Sequence, residues 1–426
     1  MKHVFLSLVL LTFGILPAQA DAAGPITFRY KHFLYTLNPA SFPAWNSQVE
    51  TWTYNGKRIE PPASLLVDGD VLPALPPGMQ KGFQRGWNKD AIRQTLRERI
   101  ASDLDRPAGA VTIKKNASGA VVFDGVGMTG REVDLDRSAD LTVAALEADV
   151  TDVTLVVHER QPAVTVEDPE LVKQGVKEVV TVGESDFSNS PANRRHNIAV
   201  GLAKFNGYLI KKGETFSFDE VLGPVDASTG YKKELVIKGP VTIPDYGGGL
   251  CQVSSTAYRG VWEYGFPIVA RRNHSYVVNH YAPYGTDATV YPPTVDMKFT
   301  NDSPGALLIQ TYAKDDLAYF IYYGTKDDRR TSVLGPFIWD RVAAPPDKTQ
   351  LTLDLAPGER KKVGERVPGL KAAWGRAITT ATGAHLSETF TSVYEARPLY
   401  YLVGTAELPA AGTGGALTTA PVFLED

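Results

Sequence analysis

A single cysteine, Cys251, stands among 426 residues, so no disulfide within the chain is available and packing must hold the fold. Neither sign of charge dominates. The 44 Lys and Arg against 48 Asp and Glu give a formal net charge of -4, without the polycationic footprint of a nucleic-acid binder. After the first twenty residues no stretch is apolar enough to span a bilayer. The one apolar run, 4–16, follows Lys2 and His3 and exits through Ala18-Gln19-Ala20. It is shorter than the roughly 20 residues of a membrane span and has the small-residue exit of a secretion signal. Residues 1–20 are therefore expected to be removed, leaving Asp21 first; an uncleaved anchor is the alternative. No cysteine adjoins the cleavage site, which excludes a lipoprotein. The expected place of action is the periplasm or cell wall, with no membrane span in the mature protein. A lone thiol in an oxidising compartment is a liability. It is either a small buried hydrophobe or a group with a use.

The length suits two or three domains, and the sequence pattern predicts an α+β, multidomain chain. Residues 25–169 read as a mixed domain of strands and helices. A strand pair or one long strand is predicted over 26–37, and a helix over 87–104 with Ile92, Leu96, Ile100 and Leu104 on one face. A hairpin around Asn116 to Gly119, a second helix over 134–148 and short strands at 153–159 and 163–167 follow. Between Pro169 and Asn193 the composition turns to Ser, Asn, Asp and Glu and reads as a linker. A β-rich domain with helices is expected over 185–340, opening on a helix capped by Asn193, with Ile198, Leu202 and Phe205 inward and Gly207 at its end. Residues 342–405 read as a small all-β module with strands at 350–355, 371–380, 387–394 and 399–403. The tail from 406 is rich in Ala, Gly, Thr and Pro and is expected to be mobile.

Most of the chemistry is concentrated in Tyr246-Gly247-Gly248-Gly249-Leu250-Cys251-Gln252-Val253-Ser254-Ser255-Thr256. Three glycines in succession make sense where a chain turns tightly or lets something approach its backbone. They put Cys251 at the start of a helix, where unsatisfied N–H groups and the positive end of the helix dipole favour a thiolate. The same turn would offer donors to an oxyanion, which makes Gly248, Gly249, Leu250, Gln252, Ser254 and Ser255 candidates for contacting substrate. A thiol also needs a base. His274 is the first choice, His280 the second, and Asp287 is placed to orient the imidazole. Each has a plain reading as well: His274 as a hydrogen-bonded structural histidine, Asp287 as a turn residue. Cys251, His274 and His280 have the donor types of a metal site, but their spacing follows no zinc pattern, and no cofactor motif is present.

Taken in order, Arg195-His196-Asn197-Ile198, Phe205-Asn206-Gly207, Gly213-Glu214-Thr215-Phe216-Ser217-Phe218, Leu222-Gly223-Pro224, Gly230-Tyr231, the glycine–cysteine block, His274-Ser275 and Asp287-Ala288-Thr289 resemble the VanW domain family over roughly 185–325. The stretch 134–167 resembles the peptidoglycan-binding domain that often precedes VanW. The C-terminal module resembles a β module linked to wall adhesion. Tyr246 and Tyr276-Val277-Val278 depart from what relatives often carry. The family takes its name from glycopeptide-resistance gene clusters, and some members are understood to be L,D-transpeptidases. The resemblance thus implies Cys251 as nucleophile, His274 as base and peptidoglycan stem peptides as partners, with no cofactor; Asp287 is carried over as a motif position. The rival is a non-catalytic wall-binding protein in which Cys251 merely packs.

Overall fold

The computed structural model describes residues 24–59, 77–238, 241–353 and 355–407. The expected signal over 1–20 and nearly all of the tail from 406 lie outside them. Among the described residues no helix is long and apolar enough to cross a membrane.

The chain is α+β and strand-rich, and its contacts divide it into two units. The smaller takes in 24–29, 35–59, 77–102 and 134–156. Its helix Lys89–Leu96 is capped by Asn88, whose side chain accepts from Ala91 N, and Leu135–Glu147 is capped likewise by Asp134. The chain continues from Leu96 through a π turn, Arg97–Ala101, into Ser102–Leu104. Apolar residues at steps of four drift around a 3.6-residue helix, and the wider π turn takes up part of that drift. Ile92, Leu96, Ile100 and Leu104 all end fully buried. An antiparallel sheet of Asn46–Tyr54, Lys57–Ile59 and Met79–Trp87 completes this unit.

The larger unit takes in 30–34, 103–133 and the described residues from 157 onward. Residues 103–133 and 157–169, assigned on sequence to the N-terminal domain, cluster here. A four-stranded antiparallel sheet runs in the order Glu178–Asp186, Leu317–Gly324, Leu307–Lys314, Leu209–Ile210. The strand Leu317–Gly324 is apolar at nearly every position because both of its faces are covered. Ala318, Phe320 and Tyr322 join the core formed with helices Ala192–Phe205 and Leu250–Tyr264. Tyr319, Ile321 and Tyr323 join a second core with Val111 and Ile113 on the other side. Beyond these, the strands Arg330–Val342, Gly369–Thr379 and His385–Tyr394 form an antiparallel sheet. Its Trp374 meets Trp262 edge-on, with ring centroids 5.5 Å apart.

The segment 169–193, read on sequence as a linker, is instead the helix Pro169–Lys173 followed by the strand Glu178–Asp186. Two of its polar residues, Glu184 and Ser185, are buried and matched. Glu184 is paired with Arg106 and Arg131, and Ser185 Oγ accepts from Gln252 Nε2 and lies 2.6 Å from Thr256 Oγ1. The following helix has Pro191 rather than Asn193 at its N-cap, and Asn193 instead donates to Lys233 O.

The strand and the helix Leu250–Tyr264 touch through glycines. A Cβ on Gly183 would lie 2.0 Å from Thr256 O, and one on Gly260 would lie 2.6 Å from Gly183 N. Both obstacles are backbone, so one element would have to move. Gly183→Ala is expected to lower unfolding stability by about 1–3 kcal/mol, the usual cost of overpacking, as measured by urea denaturation. A change below about 0.5 kcal/mol, ordinary for a surface substitution, would show that the contact is loose.

Candidate active site

The glycine turn ends at Gly249, whose φ of +110° suits glycine. A Cβ there would also come within 3.2 Å of Ile198 Cγ1, Arg194 Cγ and Arg194 O. The helix Leu250–Tyr264 starts immediately after it, so Cys251 occupies its first turn, half-buried. The thiol lies 3.4 Å from Thr289 Oγ1 and 3.6 Å from Val290 O. A neutral thiol can donate to that carbonyl, and a thiolate can accept from the threonine hydroxyl.

His274 is fully enclosed beside the thiol. Its Nδ1 is 2.6 Å from Asp287 Oδ2, and its backbone N–H donates to the same oxygen at 2.8 Å. Its ring stacks on Tyr281 with centroids 4.2 Å apart. Nε2 is buried and, among the described residues, has no hydrogen-bond partner. The other carboxylate oxygen of Asp287 accepts from Tyr394 OH at 2.6 Å and Arg271 Nη2 at 3.1 Å. Burial opposes the charge on Asp287, but the hydrogen bond and charge of His274, with Arg271 and Tyr394, hold its carboxyl well below the ordinary range. An ionised acceptor at Oδ2 puts a proton on Nδ1 and turns Nε2 toward the thiol.

Cys251 and His274 shift in opposite directions. Burial disfavours the charged form of each. The charge of His274 nevertheless brings the Cys251 thiol below its ordinary value. The thiolate and Asp287 likewise raise His274. The arrangement therefore favours a thiolate–imidazolium pair.

Residues singled out from sequence fall into two groups. Gly248, Gly249, Leu250, Cys251, His274 and His280 line one cavity of about 1280 Å³. Asp287 lies behind His274, 2% exposed. Gln252, Ser254 and Ser255 are fully buried away from that cavity, which corrects their reading as substrate contacts. Ser254 Oγ donates to Ala288 O, and Ser255 Oγ accepts from Ala288 N, fixing the helix against the segment that carries Asp287. Gln252 braces Arg194 and the strand beneath. The Leu250 and Gln252 amides already donate to Gly247 O and Gly249 O. The Cys251 amide makes no backbone hydrogen bond among the described residues and is the free donor at the thiol. His280, on the short turn Asn279–Tyr281, is held below its ordinary pKa by burial and by Arg194 against the opposing charge of Asp186, and among the described residues no carboxylate hydrogen-bonds to it as Asp287 does to His274.

Arg271, Tyr281 and Tyr394 were not singled out. Arg271 and Tyr281 flank His274 in sequence without any motif of their own. Tyr394 lies 107 residues from Asp287, on a strand whose pattern only says β. Among the described residues no group of three or more His, Cys, Asp or Glu could hold a metal ion.

The fold and site define a strand-rich α+β protein with a cysteine–histidine–aspartate line at a helix N-terminus. Residues 193–322 match the family described as VanW like protein. Over 125 residues, 29% of the chain, it is 37% identical to the uncharacterized protein YoaR of Bacillus subtilis (strain 168), covering 41% of that protein. Over 117 residues, 26% of the chain, it is 32% identical to the vancomycin B-type resistance protein VanW of Enterococcus faecalis (strain ATCC 700802 / V583), covering 42% of it. The chain thus spans about two-fifths of the length of these relatives. No solved structure matches it.

Two outcomes follow from the electrostatics. Iodoacetamide alkylation of the native protein, followed against pH, is expected to reach half its maximal rate below the free-cysteine value of about 8.5. In His274→Ala the midpoint should rise toward or above that value; an unchanged midpoint would mean the helix terminus alone holds the thiolate. At the cavity's far end, burial and the neighbouring Asp296 push Asp219 up to about 7, and neither of its oxygens has a partner among the described residues. A carboxyl raised in the folded state contributes stability that is lost as pH climbs from its unfolded value of about 3.9 through the folded one. Asp219→Asn is therefore expected to raise the thermal midpoint at pH 8 and to leave it nearly unchanged below pH 4.

Proposed function

We propose that this chain is an exported cell-wall enzyme that transfers acyl groups between peptidoglycan stem peptides through Cys251, as an L,D-transpeptidase. The observation that carries this reading is the buried His274, with Nδ1 committed to Asp287 and Nε2 unpartnered beside a thiol whose pKa is lowered. A packing cysteine needs no such neighbour, whereas a nucleophile requires one.

In the proposed reaction the Cys251 thiolate attacks the carbonyl of the diaminopimelate residue in a donor tetrapeptide, forming a C–S bond. The Cys251 amide donates to the developing oxyanion. As the intermediate collapses, the C–N bond to the terminal D-alanine breaks, and the His274 imidazolium supplies the proton that the leaving amine takes away. The product on the protein is a thioester. An amine of a second stem then attacks it, His274 accepts the amine's proton, and the thiolate departs. Water in place of the amine gives a carboxypeptidase product. No step calls for a metal or cofactor.

Export, with residues 1–20 removed, and wall binding by the segments flanking 185–340 belong to the same proposal. The Enterococcus faecalis relative is named for vancomycin B-type resistance, and a role of this chain at the cell wall is part of the proposal.

Purified protein incubated with muropeptides and analysed by mass spectrometry tests the reading. Wild type is expected to release D-alanine and form cross-linked dimers, and Cys251→Ala to do neither. His274→Ala should be slower by roughly 10²- to 10⁴-fold, the usual range for a general acid–base, with sacculus binding retained. Sacculus binding by a wild type that releases no D-alanine would overturn the enzyme and leave a binding protein.

A further inference from the structure

Arg194 carries a charge that its surroundings do not neutralise. It is only 8% exposed, yet among the described residues no carboxylate lies within ion-pair distance of it. Its Nη1 donates to Ser190 Oγ at 2.5 Å and its Nη2 to Gln252 Oε1 at 2.9 Å, both neutral acceptors. Other deeply buried arginines of the same unit are compensated. Arg131 is paired with Glu184, and Arg376 with Glu388. Arg259 donates to the carbonyls of Thr286, Glu184, Tyr281 and Ala282. Asp186 lies on the adjacent strand, but its carboxylate accepts from Ser188 N. A buried guanidinium without a counter-ion is costly unless something supplies one.

Its position says what that something meets. Arg194 lines the same cavity as Cys251. Gly249, two residues before the thiol, packs on its Cγ and carbonyl oxygen. Its charge acts on both Tyr281, the ring stacked on His274, and His280 on the cavity wall. Gln252 fixes the guanidinium from behind by accepting at Oε1 while donating through Nε2 to Ser185 Oγ and Asp186 O. The planar fork is thus pre-oriented beside the nucleophile, and its geometry matches a carboxylate.

We propose that Arg194 is the substrate's carboxylate-binding residue, holding a free carboxylate next to the acyl group that Cys251 attacks. This rests on the acyl-transfer reading above and adds a specificity to it. In a tetrapeptide stem two carboxylates stand close to the scissile bond: that of the terminal D-alanine, and that on the distal centre of diaminopimelate. Either supplies the missing charge.

The test uses the full chain and three synthetic tetrapeptide stems: the free acid, the C-terminal amide, and the amide of the distal diaminopimelate carboxylate. D-alanine or D-alaninamide release gives kcat/KM, and calorimetry with Cys251→Ala gives Kd without chemistry. Wild type is expected to discriminate at least 30-fold against one of the amides in both readouts, and the amide that suffers identifies the carboxylate. Arg194→Gln should lose that discrimination by weakening the free acid alone, and Arg194→Lys should retain part of it. Iodoacetamide alkylation of Cys251 in Arg194→Gln should stay within threefold of wild type, because that reagent bears no carboxylate. If Arg194→Gln fails to fold, the wild-type acid-to-amide ratios still decide the matter. Equal handling of all three peptides by wild type overturns the proposal while turnover keeps the enzyme reading. Selective binding of the acid without turnover overturns the enzyme reading and keeps Arg194. Absence of both binding and turnover with every peptide overturns both.

Discussion

Every feature of the candidate site depends on keeping one carboxylate ionised in the protein interior. Asp287 is nearly inaccessible to water, and an unpaired charge there would be costly. It is stable because its two oxygens are divided between two sets of donors. Oδ2 takes the backbone and ring N–H groups of His274, while Oδ1 takes Tyr394 and Arg271. The first pair fixes the tautomer of the imidazole, and the second prevents the carboxylate from turning away. Arg271 adds rigidity by also donating to Asp287 O, Gly285 O and Ser392 Oγ. With Nδ1 so committed, only Nε2 remains for chemistry, and it points to the thiol's side of the ring.

The other half of the site depends on how closely a helix can approach a sheet. The contact of Gly183 with Gly260 lets Leu250–Tyr264 lie directly on the strand Glu178–Asp186, and Thr181 Oγ1 donates to Gly260 O at 2.9 Å. That seating carries the helix N-terminus, and Cys251 with it, to a fixed depth in the cavity. At the opposite end of the helix, Arg376 donates to Trp262 O and Phe266 O. The C-terminal sheet therefore stabilises the helix that bears Cys251 and supplies Tyr394 to the carboxylate. Segments that look separable in sequence converge on one piece of chemistry.

What the sequence reveals follows from how local each signal is. The glycine turn, the helix after Cys251 and the candidates His274 and Asp287 are readable because each is written in adjacent residues with a direct chemical meaning. The strand at 178–186 is misread as a linker because its Glu, Ser and Asp look solvated. Only the fold brings Arg106, Arg131, Gln252 and Thr256 to them. Tyr394 and Arg271 are illegible for the same reason, since their partners are distant or their motif is empty. Gln252, Ser254 and Ser255 show the reverse error. Proximity to the cysteine in sequence suggests substrate contact, but on a helix successive residues face different directions, and these three point into the protein.

The site can also be followed as a line of alternating charge. Arg271 faces Asp287, Asp287 faces His274, and the imidazolium faces the Cys251 thiolate. Each group stabilises the charged form of the next, so the shifts of Asp287, His274 and Cys251 are consequences of a single arrangement. Arg194, on the cavity side, falls outside this pattern of mutual neutralisation. A cation placed there favours an anionic substrate group, and together with burial it disfavours protonation of His280. His280, with no carboxylate hydrogen-bonded to it among the described residues, lies outside the line of charges, whereas Asp287 holds His274 within it.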